Sequence, residues 1–395
     1  MVVIPTKMGL INRQTLIYKL QRMGMASRAE IAKELGLSQP TVGKIANQLL
    51  KQGVIEVVRT KKSKDKRDDE EDAIKIGRPG ISLRLNRKDP RFLCIQLGVD
   101  ETCFTASPVG VDSVDHWQVK VPTTDSAEGW LKQLQIAAEQ IPHKDFWGVL
   151  ISVPGIVEET TREVIFSPNL HWTEKVDLAE LVKKVWNAPV ELVQENRALA
   201  LGHQTFEEEH EDFMLIEFCE GVGSAAIVKG KLYRNSLPIS GEIGHAPVYG
   251  NTRKCGCGAV GCLETLVSNK ALLLSFSEIT GKANPCWDEL VNHINKNGIE
   301  PWFDSILDHT ADVIATAMNV LGIRKVVVVG SLVELGNFVV KDLERKIIQR
   351  AMWARFGTVE CVSAPRRRIA GLVYAGIERL IAPVPVEKSD NIDLM

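Results

Sequence analysis

The chain has 395 residues, 45% hydrophobic and 25% charged, with 48 Lys and Arg against 50 Asp and Glu and a formal net charge of -2. This composition fits a folded protein of two or three domains and excludes collagen-like, disulfide-scaffold and wholly disordered classes. The neutral total is a cancellation: residues 1–92 hold 20 basic and 10 acidic side chains and residues 93–395 hold 28 and 40, so a head of net +10 precedes a body of net -12. No run approaches the ~18–20 consecutive apolar residues that span a bilayer, and the N-terminus has no signal-peptide core, so a cytoplasmic, reducing location is expected.

The head opens with a helical pattern over Leu10–Met23, carried by Ile11, Leu16, Ile17 and Leu20. Ser27 with Glu30 three positions on forms a capping-box pattern that starts a second helix, with Ile31 and Leu35 inward and Gly36 ending it. Ser38 caps a third helix, with Pro40 tolerated in its first turn. Val42, Ile45, Leu49 and Leu50 form its buried stripe, which leaves Gln39, Thr41, Gly43, Lys44 and Asn47 outward. Two short helices about a glycine turn, the second presenting polar residues, give a helix-turn-helix, whose second helix enters the major groove of DNA.

Strands over Val54–Arg59 and Ile81–Leu85 would add a winged hairpin, and residues 1–62 hold 11 basic against 3 acidic side chains, a phosphate-facing balance. Between the strands, residues 61–72 are a charge run of both signs that reads as a solvated segment. Gly77-Arg78-Pro79-Gly80 follows, where Arg78 is either a minor-groove arm or a turn residue.

From Phe92 the chain alternates strands and helices. Strands are expected at Phe92–Val99, Gly148–Val153, Val190–Val193, Phe213–Phe218, Ser224–Val228 and Lys325–Val329. Helices are expected at Ala127–Gln140, Leu178–Trp186, Asp304–Leu321 and onward to about Ile381. Two such sets imply an α/β body of two lobes with substantial parallel pairing and a ligand between them.

The sharpest chemical signal is His245 with Cys255, Cys257 and Cys262, three thiolates and an imidazole with glycines between them. That is a complete tetrahedral set for one structural Zn2+, with no position left open for water. Cys94, Cys103, Cys219, Cys286 and Cys361 are scattered and read as core filling.

Gly241-Glu242-Ile243-Gly244-His245 with the following Cys-Gly-Cys-Gly-Ala-Val-Gly-Cys-Leu-Glu run, the glycine-rich 220–234 segment, and Val153-Pro154-Gly155 with Ser-Pro-Asn-Leu-His-Trp at 167–172 resemble the ROK family of sugar kinases and sugar-responsive repressors, over roughly residues 90–383. The fused winged helix-turn-helix is similar to the repressor branch. The resemblance implies an actin/hexokinase-like two-lobed body and sugar-binding roles for Asn169, Asn196, Glu242, His245 and Glu264, with one His245 ring nitrogen on zinc and the other toward sugar. It also implies that a kinase would carry an aspartate base after Asn196 and a phosphate-cradling turn after the first body strand. Here those positions read Arg197, which cannot accept a proton at neutral pH, and Gly98-Val99-Asp100-Glu101, which brings a negative charge. Arg197 either pairs with the phosphate of a phosphorylated sugar or turns away to a surface ion pair with Glu195 or Glu191.

The resulting expectation is a non-enzymatic, sugar- or sugar-phosphate-responsive repressor, with a DNA-binding head (1–88), a sensing body (89–383) and a tail (384–395). One lobe would span about 89–200 plus the C-terminal helix, and the other about 201–370. Operator DNA would meet Gln39, Thr41, Lys44 and Asn47 on the third helix, with Arg59 and Arg84 at phosphate and Arg78 in the arm. A homodimer or tetramer is expected, with no membrane association. The alternatives are an ATP-dependent sugar kinase with a DNA-binding head, or a ligand-independent DNA-binding protein with a zinc-stabilised dimerisation body.

Overall fold

A computed structural model describes residues 7–59, 81–110, 117–143, 145–207, 211–234 and 237–383. Helix α1 (Lys7–Met23) begins at Lys7 rather than Leu10 and buries Leu16, Ile17 and Leu20. A two-residue strand β1 (Ala26–Ser27) leads into α2 (Arg28–Leu35). There the Ser27 hydroxyl accepts the Glu30 amide and the Glu30 carboxylate accepts the Ser27 amide, a reciprocal cap. Gly36 closes α2 at φ 62°, a conformation that glycine adopts without strain.

Ser38 then caps α3 (Gln39–Lys51), whose buried face is Val42, Ile45, Ala46 and Leu49, with Leu50 half-buried. Strands β2 (Ile55–Arg59) and β3 (Ile81–Leu85) pair antiparallel, and β1 joins the free edge of β3. This is the expected winged helix-turn-helix. The charge run and the Gly77–Gly80 arm, Arg78 included, lie outside the described residues.

Two five-stranded sheets make the body. The first contains β4 (Phe92–Leu97), β5 (Glu101–Ser107), β6 (Trp117–Pro122), β7 (Gly148–Val153) and β10 (Val190–Gln194), in the order β10-β7-β4-β5-β6. Its outer face is covered by α4 (Ala127–Gln140) and α5 (Leu178–Lys183) through Trp130, Leu134 and Val182. A small hairpin, β8 (Ile156–Glu158) and β9 (Glu163–Phe166), stands beside it. Helix α6 (Glu195–Phe206) then crosses to the second sheet.

That sheet holds β11 (Phe213–Phe218), β12 (Val222–Val228), β13 (Lys231–Leu232), β14 (Lys325–Gly330) and β15 (Glu360–Ser363), in the order β13-β12-β11-β14-β15. Between β13 and β14 come α7 (Glu264–Val267), α8 (Asn269–Thr280), α9 (Trp287–Asn297) and α10 (Pro301–Leu321), and before β15 come α11 (Ser331–Glu334) and α12 (Asn337–Arg350). These helices cover the outer face of the second sheet. The chain ends its described part with α13 (Arg368–Gly376) and a wider turn at Ile377–Ile381.

Both sheets mix parallel and antiparallel neighbours. Parallel pairs join β4 to β7, β7 to β10, β11 to β14 and β14 to β15. The expected strand Phe92–Val99 stops at Leu97 because Gly98 turns the chain: its amide donates to Glu101 O and opens the β4–β5 hairpin. Cys94, Cys103 and Cys361 fill the core as expected, whereas Cys219 is half-buried and Cys286 is exposed ahead of α9, so core filling does not account for Cys286.

Helices α6 and α13 pack against each other between the two sheets. One continuous core joins them to Leu150 and Val193 of the first sheet, to Leu215 and Val327 of the second, and to Leu16, Ile17 and Leu20 of the head. Tyr18 of α1 stacks on Tyr374 of α13, with ring centroids 4.2 Å apart and planes within 5°. Asn86 ties the connection down, its side chain donating to Gly53 O and its own carbonyl accepting Gly110 N.

The α6–α13 crossing depends on two glycines. A Cβ at Gly371 would lie 1.6 Å from Ala198 O, and one at Gly202 would lie 1.9 Å from Arg367 O. Gly371→Ala should therefore lower stability by at least about 1–3 kcal/mol through backbone displacement. Gly43→Ala, on α3 with nothing within 4 Å of the added methyl, should be neutral or stabilise by up to ~1 kcal/mol. Urea unfolding followed by circular dichroism checks both.

Candidate effector site and metal centre

Residues 237–263 are anchored in the core by Ile243, Val248 and Leu263, and between these anchors the chain folds into a knuckle. Pro247 bridges Cys262 and Lys254 bridges Val260. Gly258 and Gly261 take φ of 92° and 89°, where a side chain would be strained. The knuckle gathers His245, Cys255, Cys257 and Cys262 so that one ligand atom from each lies within 4.8 Å of all the others. Cys257 and Cys262 sulfurs are 3.7 Å apart, and His245 Nδ1 is 3.5 Å from Cys255 Sγ. These separations suit the edges of a tetrahedron with metal bonds near 2.0–2.3 Å. Burial pushes the Cys262 thiol up to about 12, while the Ala259 amide draws Cys257 down. The four side chains could hold a metal ion, and their donor set is the one zinc prefers.

With Nδ1 on the sulfur side, His245 turns Nε2 toward Glu242, 3.8 Å from its carboxylate. Glu264, at the start of α7, accepts the Val222 amide at 3.0 Å and lies 3.8 Å from Cys255 Sγ. Asn196 sits in the first turn of α6, buried, and its Oδ1 lacks a hydrogen-bond partner among the described residues. A Cβ at Gly223 would lie 2.1 Å from Asn196 Nδ2, so the glycine of β12 makes room for this amide. Burial, with the Glu264 carboxylate nearby, raises Glu242 above its usual range against the pull of His245 and Arg197. Glu195 is pushed up to about 7 by burial and by Glu217 and Glu242, against Arg368.

Asn196, Glu242, His245 and Glu264 are thus brought into one polar neighbourhood beside Val222 and Gly223. Asn169 is exposed in the loop after β9, and no contact links it to these four among the described residues. That loop packs on the Val153–Gly155 turn, since a Cβ at Gly155 would strike Phe166 O at 2.3 Å.

Arg197 does not form the surface pair expected with Glu195 or Glu191. Its side chain is 8% exposed and pairs at 3.3 Å with Glu159, itself 4% exposed, beyond β8. Its other nitrogen donates to Pro238 O and Ser240 Oγ. Glu195 instead faces Arg368 at 3.6 Å and Glu191 faces Arg379 at 3.3 Å. Glu101 pairs with Lys120 of β6 at 3.0 Å. Sequence reasoning missed Glu159, because no spacing connects it to arginines that meet it only in three dimensions.

In the head, Gln39, Thr41 and Lys44 are exposed on α3, with the Thr41 hydroxyl 2.8 Å from that of Ser38. Asn47 is exposed, but its amide oxygen accepts from Arg28 at 2.7 Å. Arg84, expected at phosphate, is bound across the wing to Glu56 at 2.7 Å, so its charge is already balanced within the head. Arg59 ends β2, and Arg78 falls outside the described residues.

Residues 92–373 match the ROK family. The chain belongs to the ROK family. Residues 11–68 match the MarR family, which places a winged helix-turn-helix ahead of the ROK body. The xylose repressor of Caldicellulosiruptor bescii is 28% identical over 276 residues, 68% of this chain and 66% of that protein. The Bacillus subtilis xylose repressor is 24% identical over 86% of this chain and 87% of its own length. The Escherichia coli DNA-binding transcriptional dual regulator NagC is 22% identical over 86% and 85%.

Among solved structures, a ROK family transcriptional regulator described as a homolog of the E. coli Mlc protein aligns with a TM-score of 0.74 at 19% identity, covering 95% of this chain and 98% of that one. A ROK family glucokinase from Streptomyces griseus, in complex with glucose and AMPPNP, aligns at 0.57 and 22% identity, covering 72% and 97%. The family fold therefore accounts for head and body together. No helix among the described residues is long and apolar enough to cross a membrane.

A metal in the knuckle should position Glu242 and Glu264. Cys262→Ser, or exhaustive chelation, should abolish stoichiometric metal measured by elemental mass spectrometry and weaken sugar binding by roughly 10–100-fold. Retention of full sugar affinity by metal-free protein would separate knuckle from pocket.

Proposed function

We propose that this ROK protein is a sugar-responsive transcriptional repressor that performs no chemistry. The observation that carries the reading is a basic winged helix-turn-helix packed directly on a ROK body whose expected catalytic-base position holds Arg197, buried against Glu159. A guanidinium cannot take a proton from a sugar hydroxyl at neutral pH, and general-base assistance is worth about 100- to 10,000-fold. The repressor relatives support the same reading. With ATP and a panel of aldoses, ADP release should not exceed background.

The head (1–88) would read operator DNA through Gln39, Thr41 and Lys44, and the body (89–383) would bind the effector. One Zn2+ per chain would hold the knuckle as a structural ion. A symmetric dimer would place two heads on half-sites about one helical turn, or a multiple of it, apart. Replacing Gln39 by Ala should relax sequence choice by about 1–3 kcal/mol of discrimination at one base pair, measured by competition between operator variants.

The effector we favour is a free aldose rather than a sugar phosphate. Asn196, Glu242, His245 and Glu264 offer amide, imidazole and carboxylate partners for adjacent hydroxyls. The cation that would receive a phosphate, Arg197, is already bound by Glu159, and Asn196, Glu242 and Glu264 offer no other positive charge. Isothermal titration should give at least about tenfold tighter binding for a free aldose than for its phosphate. Equal or reversed affinities would return Arg197 to the pocket.

A further inference from the structure

Glu159 is a meeting point of four parts of the molecule. Its carboxylate accepts from Arg197 of α6 at 3.3 Å, from Arg234 beyond β13 at 3.1 Å, and from Arg379 of the C-terminal turn at 2.5 Å. It also accepts the amide of Gln194 at 3.3 Å, the residue whose side chain caps α6. Burial alone would raise its pKa, and Arg379, Arg234 and Arg197 together reverse this and hold it below the usual carboxylate range.

Each partner leads to a different place. Arg197 carries on to Pro238 O and Ser240 Oγ, on the segment that runs into Glu242. Gly241, between them, is pinned where a Cβ would lie 1.8 Å from Ser224 O, so a shift of Ser240 passes into Glu242 rather than into slack chain. Arg379 also binds Glu191 and the Leu192 carbonyl, which fixes the turn Ile377–Ile381. The next residue, Ala382, accepts the Gln14 side chain of α1 at 2.7 Å through its carbonyl, and Tyr374 on α13 carries the Tyr18 stack. An unbroken set of contacts therefore runs from the pocket segment through one buried carboxylate to the first helix of the DNA-binding head.

We propose that Glu159 is the positioning residue that couples effector binding to the head, with Arg197 as its pocket-side arm, Arg379 as its head-side arm and Arg234 as a third cation that helps hold the carboxylate in place. The proposal rests on the repressor reading and adds the route of the response. A ligand that draws Glu242 and the 237–241 segment toward itself must pull on Arg197 through Pro238 and Ser240. Because the carboxylate is shared, that pull changes its geometry toward Arg379 and hence the seat of α1. Coupling of this kind is reciprocal, so operator DNA should weaken sugar binding by the same factor as sugar weakens DNA binding.

Glu159→Gln is the obvious test, but it leaves buried guanidinium groups around a neutral amide and can fail to fold. Arg234→Met avoids this, because Arg234 is 47% exposed and its loss leaves Arg197 and Arg379 to balance Glu159. The probes are xylose, glucose and N-acetylglucosamine, with a DNA duplex selected on the full-length protein from a random library. Wild type should lose about 5- to 150-fold in DNA affinity with the sugar that binds best. Arg234→Met and Gln14→Ala should each bring that ratio below about 2-fold while changing sugar affinity and sugar-free DNA affinity by less than about 3-fold. Lys120→Met, which removes an exposed ion pair on β6, should keep the wild-type ratio.

Hydrogen exchange without sugar gives a second readout. Arg234→Met should raise exchange in 237–241, in 377–382 and in α1 together, and leave α8 and α9 unchanged. A wild-type ratio in Arg234→Met, or an exchange change confined to 237–241, overturns the proposal. If no sugar alters the DNA affinity of wild type, the repressor reading itself fails, and the exchange pattern still decides whether the route exists.

Discussion

The close crossing of α6 and α13 is the constraint on which the rest of the protein depends. Two helices that approach through Gly202 and Gly371 are thin enough to lie between two sheets and touch both inner faces. Helix α6 begins at the pocket, where Asn196 faces Gly223, and ends at Phe206; α13 lies along it and carries Tyr374. Because the head rests on this pair, its apolar residues belong to the same core as the body. Interiors at this packing density move as discrete rearrangements rather than as gradual deformation, which suits a protein that must hold two states apart.

The pocket floor is built by different means. The segment from Leu237 to Cys262 is rich in glycine and reaches the core beside the second sheet through Ile243 and Val248. The four side chains gathered within 4.8 Å, which could hold a metal ion, shape the rest of it, and Glu242 and Glu264 flank this group. His245 joins the two functions through its two ring nitrogens, one beside Cys255 and one toward Glu242.

Much of this was legible in the sequence, for identifiable reasons. Ala127–Gln140, Gly148–Val153, Phe213–Phe218 and Ile81–Leu85 appear with the expected bounds, because each is closed by a cap, a glycine or a turn. The head helices were legible from Ser27, Glu30, Gly36 and Ser38, whose local hydrogen bonds do not depend on the rest of the chain. Strands β5 and β6 were not foreseen: Glu101–Ser107 is rich in Thr and Ser and its pattern emerges only when it pairs between β4 and β6. The site divides in the same way. The metal ligands and their flanking glutamates are close in sequence and could be read, whereas Arg379 and Glu159 are 220 residues apart and no local pattern announces their contact. The pairing of Arg84 with Glu56 was not legible, because nothing in the sequence sets the two opposite each other across the wing.

The pairing of Arg197 with Glu159 also bears on how this architecture can evolve. An aspartate at position 197 would sit beside a buried carboxylate, two like charges with little water between them, and the tether to Pro238 and Ser240 would be lost. A catalytic base could therefore return only together with changes at Glu159 and at the arginines that balance it. Single substitutions lead downhill in stability before any catalysis could be selected. Under the proposed repressor reading, the Arg197–Glu159 packing would act as a ratchet, putting several coordinated mutations rather than one between this chain and a kinase.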